Sequence, residues 1–236
     1  MRSGRWSLVR ACVRDVLRIQ RAGYHIKCTY RTAGTGIPGA AAPEGLLFVD
    51  KPIGMTSHDV VYQIRKRLAV EKVGHGGTLD PLASGMLAIG IGRYTKLLCE
   101  FLHCDKRYKF TMKLGVCTDT LDSDGVVTRR SLLPPAQELT IDRINELLRS
   151  FVGPQQQVPP AFSSIKQRGV PMHKMARLGI PVQSVPRPVT IYELICHEVV
   201  HDMVDGESRV LVSCEVRCSS GTYVRVLAAD IGDKLG

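Results

Sequence analysis

No apolar run in the 236 residues reaches the roughly 18–20 positions that a membrane-spanning helix needs, and no apolar secretory signal is recognisable. The eight cysteines (Cys12, Cys28, Cys99, Cys104, Cys117, Cys196, Cys214 and Cys218) include no Cys-x-x-Cys pair and no Cys/His cluster with zinc-finger spacing. They read as reduced thiols of an intracellular protein. No internal repeat or low-complexity array is present. An acidic excess is missing too. The formal charge is +10, which favours a polyanionic partner, most often nucleic acid. That charge is uneven: residues 1–44 hold eight basic and two acidic residues, the remaining 192 hold 24 and 20. The part that reads as folded is therefore only mildly basic.

Residues 1–44 form a basic N-terminal extension. On a helical wheel Arg10, Arg14, Arg18 and Arg21 share one face, opposite Leu8, Cys12, Val16 and Ile19. This Arg-rich, acid-poor composition is that of a mitochondrial or plastid transit peptide, or of a disordered basic arm. Residues 31–44 are rich in Gly, Ala and Pro and read as a linker. The linker contains Gly34-x-Gly36-x-x-Gly39, but no strand precedes it, no helix follows and Pro38 lies inside it, so it is not a dinucleotide loop.

From Gly45 onward the periodicities alternate between strand and helix. Leu46 to Val49 reads as a buried strand. Thr56 or Ser57 caps a helix with Asp59 in its first turn and Val60, Val61, Ile64 and Leu68 as its apolar stripe. Tyr108 to Val116 alternates as a strand, and Asp122-Ser123-Asp124-Gly125 turns it into a hairpin. Those acids lack EF-hand spacing, because Thr120 and Ser131 would occupy its first and twelfth positions. Thr140 starts a second amphipathic helix. Residues 153–188 carry seven prolines among basic residues and read as a long functional loop with a short helix at Met172 to Leu178. Val189 to Val200 and Arg209 to Cys218 are strands, and the latter points Val210, Val212, Cys214, Val216 and Cys218 one way. Tyr223 to Leu235 is a helix.

Two charged residues are conspicuous. Asp80 lies in Gly74-His75-Gly76-Gly77-Thr78-Leu79-Asp80-Pro81, where glycines permit close approaches and Pro81 holds Asp80 extended. Taken alone, Asp-Pro after Gly-Gly is a surface turn. Arg225 sits near a helix N-terminus, where the dipole disfavours a cation. It therefore either reaches solvent or has an anionic partner.

Three separated blocks coincide with these residues: Lys51-Pro52-x-Gly54-x-Thr56-Ser57, the Asp80 loop, and Ser220-Gly221-Thr222-Tyr223-Val224-Arg225, with Asp105-Lys106-Arg107-Tyr108 between. In this order they resemble the TruB family of RNA pseudouridine synthases, from about Gly45 to the last residue. Gln157-Val158-Pro159-Pro160-x-Phe162-Ser163-x-Ile165-Lys166 and Ala176-Arg177-x-Gly179 resemble the RNA-gripping insertion of its stand-alone bacterial-type members. Met172 and His173 stand about where the family carries a tyrosine.

The resemblance implies an α+β pseudouridine synthase fold, a mixed, mostly antiparallel sheet flanked by helices with a central catalytic cleft. It implies isomerisation of a T-loop uridine of tRNA, of the uridine 55 type, without cofactor or metal. Asp80 would be the catalytic carboxylate, acting as nucleophile or base, and Arg225 its ion-pair partner. Tyr108 would stack on the extracted base and His75 fill the space it leaves. Lys51 and Pro52 would support the Tyr108 side of the pocket. Lys106, Arg107, Lys166, Arg177 and Tyr223 would contact RNA. The implied partner is the tRNA T arm, with mRNA as a further substrate, and the implied state is a monomer with no protein partner. The family fold continues beyond Gly236 with a further strand, often followed by a small RNA-binding domain. A tRNA-binding module without chemistry is the alternative. A glycosidase-like hydrolase usually needs two carboxylates, and only Asp80 has a motif around it.

Overall fold

A computed structural model describes residues 42–204 and 206–235, together with the backbone of residues 16–21 and 24–29. It divides into two units, Met1–His103 and Cys104–Gly236. The strands are not joined in one sheet: each unit has its own, and every described pairing is antiparallel. After the strand Gly85–Ile91 the chain leaves the first sheet through a 3-10 turn at Gly92–Leu97 and a short helix. The strand that follows, Lys106–Lys113, pairs with one almost a hundred residues later, a non-local choice that local periodicity does not encode.

In the first unit the strand order is β1-β2-β3-β5-β4, comprising β1 (Val16–Arg21), β2 (Tyr24–Thr29), β3 (Gly45–Lys51), β4 (Val73–His75) and β5 (Gly85–Ile91). Over 16–21 the backbone is extended, so the helical-wheel arrangement of Arg18 and Arg21 does not apply. Pairing with β2 satisfies this backbone between strands instead of within a helix. Arg10 and Arg14, and the linker up to residue 41 with its Gly34-x-Gly36-x-x-Gly39, lie outside the described residues. One face of β3 and β5 buries Leu47, Val49, Leu87, Ile89 and Ile91 against Val60, Val61 and Ile64 of α1 (Ser57–Leu68). The cap of α1 is Thr56. Its hydroxyl accepts from the Asp59 amide at 3.0 Å, while the Asp59 carboxylate accepts from the Thr56 amide at 2.9 Å, a reciprocal capping box. The chain then forms α2 (Leu98–His103). A Cβ at Gly76 would lie 3.0 Å from the Phe101 Cβ, so glycine lets the backbone approach this helix without displacing its neighbour.

The second unit centres on a sheet of order β6-β13-β12-β9. Its strands are β6 (Lys106–Lys113), β9 (Gly153–Gln157), β12 (Arg187–Val204) and β13 (Glu207–Cys218). A hairpin of β7 (Val116–Thr118) and β8 (Val127–Arg130) follows β6, as the Asp-Ser-Asp-Gly turn predicts. The alternation in β13 is realised: Val210, Val212, Cys214, Val216 and Cys218 are all buried. They pack with Ile144 and Leu148 of α3 (Ile141–Arg149) and with Leu227 and Ile231 of α5 (Val224–Leu235). Thr140 caps α3. The proline-rich stretch holds the small hairpin β10 (Lys166–Gln167) and β11 (Val170–Pro171) and then α4 (Met172–Arg177), with Met172 fully buried. Among the described residues no helix is long and apolar enough to cross a membrane.

Candidate active site

The site residues named from sequence fall into two groups, one in each unit: Lys51, His75 and Asp80 in the first, the others in the second.

In the first group, Asp80 is held from both sides by the block at 51–57. On its N-terminal side, the Ser57 hydroxyl accepts from the Leu79 amide at 2.9 Å and lies 3.3 Å from the Leu79 carbonyl. On its C-terminal side, the Pro81 carbonyl accepts from the Gly54 amide at 2.8 Å and from the Lys51 ammonium at 3.4 Å. Gly54 reaches this geometry at φ +84°, a left-handed conformation suited to glycine. The Asp80 carbonyl accepts from the Ala83 amide at 3.0 Å, closing the turn. Ser57 and Lys51 are both buried, whereas Asp80 itself is half-buried. The backbone of Leu79 to Pro81 is thus fixed while the carboxylate remains reachable, the arrangement a catalytic side chain needs.

Lys51 serves this loop. Its ammonium donates to the carbonyls of Pro52 at 2.9 Å and Met55 at 2.7 Å as well as to Pro81. The resemblance implies that it supports the Tyr108 side of the pocket; its hydrogen bonds go to the turn at 52–55 and to Pro81. Burial lowers its pKa from the ordinary lysine value, opposed by the carboxylates of Asp80 and Asp59. We expect Lys51→Met to destabilise the fold by about 1–3 kcal/mol, because three part-buried carbonyls lose their donor. Urea denaturation would measure the loss. A midpoint unchanged from the wild type would mean the ammonium holds nothing.

His75 closes β4 and is half-buried, and its Nδ1 is buried with no hydrogen-bond partner among the described residues. Burial lowers its pKa below the ordinary 6.5, against the raising effect of a hydrogen bond with the Gly77 backbone. A histidine whose folded-state pKa is depressed binds fewer protons folded than unfolded between those two values. Stability is then lost as the pH falls from 6.5 towards the folded pKa. For one imidazole the slope is at most about 1.4 kcal/mol per pH unit. We expect His75→Gln to flatten the fall in urea midpoint between about pH 7 and pH 5; a slope identical to the wild type would exclude His75 as its source.

In the second group, Arg225 lies in the first turn of α5 and does not reach solvent freely, its side chain being 14% exposed. It donates to the carbonyls of Thr120 at 2.7 Å and Phe162 at 3.0 Å, and lies 3.5 Å from the Asp122 carboxylate. The guanidinium therefore ties the β7–β8 turn to the start of the insertion. Sequence reasoning read Asp122 only as a hairpin residue. It is that too, accepting from the Thr120 hydroxyl at 2.6 Å and the Asp124 amide at 3.1 Å. Gln157 is a second residue whose role was missed. Its side-chain amide accepts from the Tyr223 amide at 2.8 Å and donates to the Tyr223 carbonyl at 3.1 Å, fixing the backbone two residues before Arg225.

Tyr108 is half-buried on β6, opposite Val216, and packs against the core of its unit. Arg107, beside it, is not a bare cation. It bonds Glu215 at 2.6 Å and Glu193 at 3.0 Å. Arg107 and Arg217 are direct cross-strand partners, a like-charge pairing that costs stability. Glu193 bridges them, with its second oxygen 3.2 Å from Arg217. Arg217 also stacks on Tyr192, 4.7 Å from the ring centroid. Lys106 donates to the Cys104 carbonyl at 2.6 Å. Lys166 on β10 and Arg177 on α4 are exposed on the insertion.

Comparison with known proteins defines the class. The model of the TruB family pseudouridylate synthase N-terminal domain matches residues 65–224, and the chain belongs to this family. Among its relatives is the tRNA pseudouridine synthase B of Dechloromonas aromatica, 42% identical over 193 residues that cover 82% of this chain and 60% of the relative. That of Geotalea uraniireducens is 46% identical over 193 residues, covering 82% and 59%. That of Blochmanniella floridana is 41% identical over 192 residues, covering 81% and 71%. The chain thus spans about 60% of the length of the first two relatives. Of solved structures, a Cbf5-Nop10-Gar1 complex matches with a TM-score of 0.53 and 30% identity, over 79% of this chain and 43% of that one. An H/ACA RNP bound to a substrate RNA containing 2'-deoxyuridine matches with a TM-score of 0.50 and 29% identity, over 79% and 41%.

Proposed function

We propose that the chain isomerises a uridine in the T loop of tRNA, of the uridine 55 type, to pseudouridine. Asp80 is the catalytic carboxylate and Arg225 its cation. The observation that carries this reading is the two-sided fixation of the Asp80 loop by Ser57, Gly54 and Lys51. A surface turn needs no such support; a carboxylate that must meet a reacting carbon does.

The reaction breaks the bond from uracil N1 to ribose C1′ and forms one from uracil C5 to the same carbon. C5 loses its proton and N1 gains one, so no atom enters or leaves and no redox partner is needed. Asp80 acts on the sugar or the base, as nucleophile or as proton acceptor. A stacked base must first leave its helix. Tyr108 offers an aromatic face to it, a contact worth roughly 1–3 kcal/mol, and His75, neutral because burial disfavours its charge, fills the space left behind. Lys166, Arg177, Lys106 and Tyr223 contribute RNA contacts. Arg107 contributes less, since two carboxylates already neutralise it.

The test is positional. An unmodified tRNA transcript is incubated with the chain, treated with a carbodiimide that marks pseudouridine, and read by reverse transcription. A single new stop at the T-loop uridine supports the reading. Stops spread over many uridines would contradict the T-loop assignment. RNA binding without any stop would favour the RNA-binding module.

A further inference from the structure

Helix α1 has a second face, which no step of the proposed reaction uses. Its core face is made of Val60, Val61 and Ile64. Opposite them lie His58, Tyr62 and Lys66, all exposed. They are spaced four residues apart, and that spacing sets side chains in one row along a helix.

The row has little to hold it within the protein. Tyr62 is 57% exposed. The other exposed tyrosine, Tyr192, lies beneath the Arg217 guanidinium. Tyr62 stacks on no ring or cation among the described residues. Lys66 forms no ion pair among them. Its neighbour Arg65 is engaged instead, donating to the Val73 carbonyl at 3.2 Å and so tying α1 to β4, which ends at His75. The one acid of the helix, Asp59, is held in the cap by the Thr56 amide at 2.9 Å and the Thr56 hydroxyl at 2.7 Å. No carboxylate of α1 is therefore available to neutralise the row.

The row also starts beside the candidate site. His58 follows Ser57, whose hydroxyl holds the Leu79 amide next to Asp80. The charge of His58 is one of the influences on His75, so the two imidazoles are near neighbours. From His58 to Lys66 the row runs about 12 Å along the helix axis.

We propose that His58, Tyr62 and Lys66 of α1 form a docking surface for the RNA strand that flanks the target uridine. Tyr62 stacks on a base next to the one extracted, Lys66 meets a phosphate further along, and His58 offers a hydrogen bond at the end nearest Asp80. The proposal rests on the reading of the chain as an RNA-modifying enzyme and extends its RNA contacts onto a helix outside the insertion. The chemistry of the row selects this partner. A single-stranded nucleic acid is bound by an aromatic face for a base and cations for the backbone. A merely solvated face has use for the charges but not for a bare ring. A protein-binding surface has an apolar centre around its aromatic residues, and no other apolar side chain of α1 is exposed.

The test measures binding of a T-arm RNA hairpin to the full chain by fluorescence anisotropy, at salt concentrations from about 50 to 200 mM. Tyr62→Ala should weaken binding roughly 5- to 100-fold, whereas Tyr62→Phe, which keeps the ring, should stay within about threefold of the wild type. Lys66→Gln should reduce the slope of log K against log salt by about 0.7–0.9, the contribution of one phosphate contact. A merely structural role would not move that slope. Melting temperatures should match the wild type, because these side chains are exposed. An independent readout is photo-crosslinking: 4-thiouridine placed beside the target position should crosslink to the peptide that contains Tyr62. The proposal is overturned if Tyr62→Ala binds within about twofold of the wild type at every salt concentration, or if the slope for Lys66→Gln is unchanged. In either case a wild-type chain that binds the hairpin keeps the RNA-modifying reading intact and only the docking row is wrong. A wild-type chain that binds no RNA would overturn both.

Discussion

Asp80→Asn should lower the rate of pseudouridine formation by roughly 10⁴-fold or more, while tRNA binding changes by only a few-fold. The amide is nearly isosteric with the carboxylate, and the backbone on both sides of Asp80 is held by other residues. Ser57 holds Leu79, and Lys51 with Gly54 hold Pro81. The substitution therefore removes the negative charge and the lone pairs of a reactive oxygen but leaves the backbone where it is. Single-turnover rates and filter binding, measured on the same preparation, separate the two effects. An Asn variant within about tenfold of the wild-type rate would remove Asp80 from the chemistry, since even a single positioned acid–base group contributes about 10² or more. Equal losses of rate and of binding would mean that the loop had collapsed, and the melting temperature would report it.

Arg225→Met carries the second large effect, and it falls on stability as well as on rate. The guanidinium is the common partner of the Thr120 carbonyl, the Phe162 carbonyl and the Asp122 carboxylate, and only 14% of its side chain is exposed. Charged hydrogen bonds contribute about 1.5–3 kcal/mol each, and their loss leaves acceptors unpaired. The expected destabilisation is about 2–4 kcal/mol, read from urea midpoints. On the proposed pairing of Arg225 with Asp80, the rate should fall at least about 100-fold, because an opposite charge favours the ionised carboxylate. Arg225→Lys separates the contributions. It keeps the charge but cannot span two carbonyls and a carboxylate with a planar fork. Part of the stability should return while the rate stays low. Full recovery of the rate with lysine would show that charge alone matters and that the guanidinium geometry does not.

The parts of this fold that were legible in the sequence are those set by local chemistry. The period of two from Val210 to Cys218 predicted a strand with one buried face, and that face is the core of the second unit. Thr56 and Asp59 announced the start of α1, and the capping box is formed. Asp122 to Gly125 predicted a hairpin that is present. Pairing between distant strands was not legible, because nothing in the alternation of β6 distinguishes β13 from β5 as its neighbour. In place of the single sheet expected from sequence, the described strands form a five-stranded sheet, a four-stranded sheet and two two-stranded ribbons.

The site divides along the same line. Asp80 and Arg225 stood out as charges in conformationally unusual places. The residues that hold the surrounding backbone did not. Ser57 follows a better cap and reads as redundant, yet its hydroxyl bonds both polar groups of Leu79. Gln157 and Asn145 each pair a side-chain amide with both backbone polar groups of one residue, Tyr223 and Cys196 respectively. The acceptors of Lys51 are backbone carbonyls. Backbone groups are present at every position and so leave no mark in a sequence; only the tertiary structure says which of them a side chain meets.

The most direct measurement is tritium release from a T-arm RNA labelled at C5 of its T-loop uridine, with enzyme in excess. The account predicts release of one tritium per RNA by the wild-type chain and none above background by Asp80→Asn. Release at equal rates from both proteins, or retention of the label by a wild-type chain that binds the RNA and is fully folded, would contradict it.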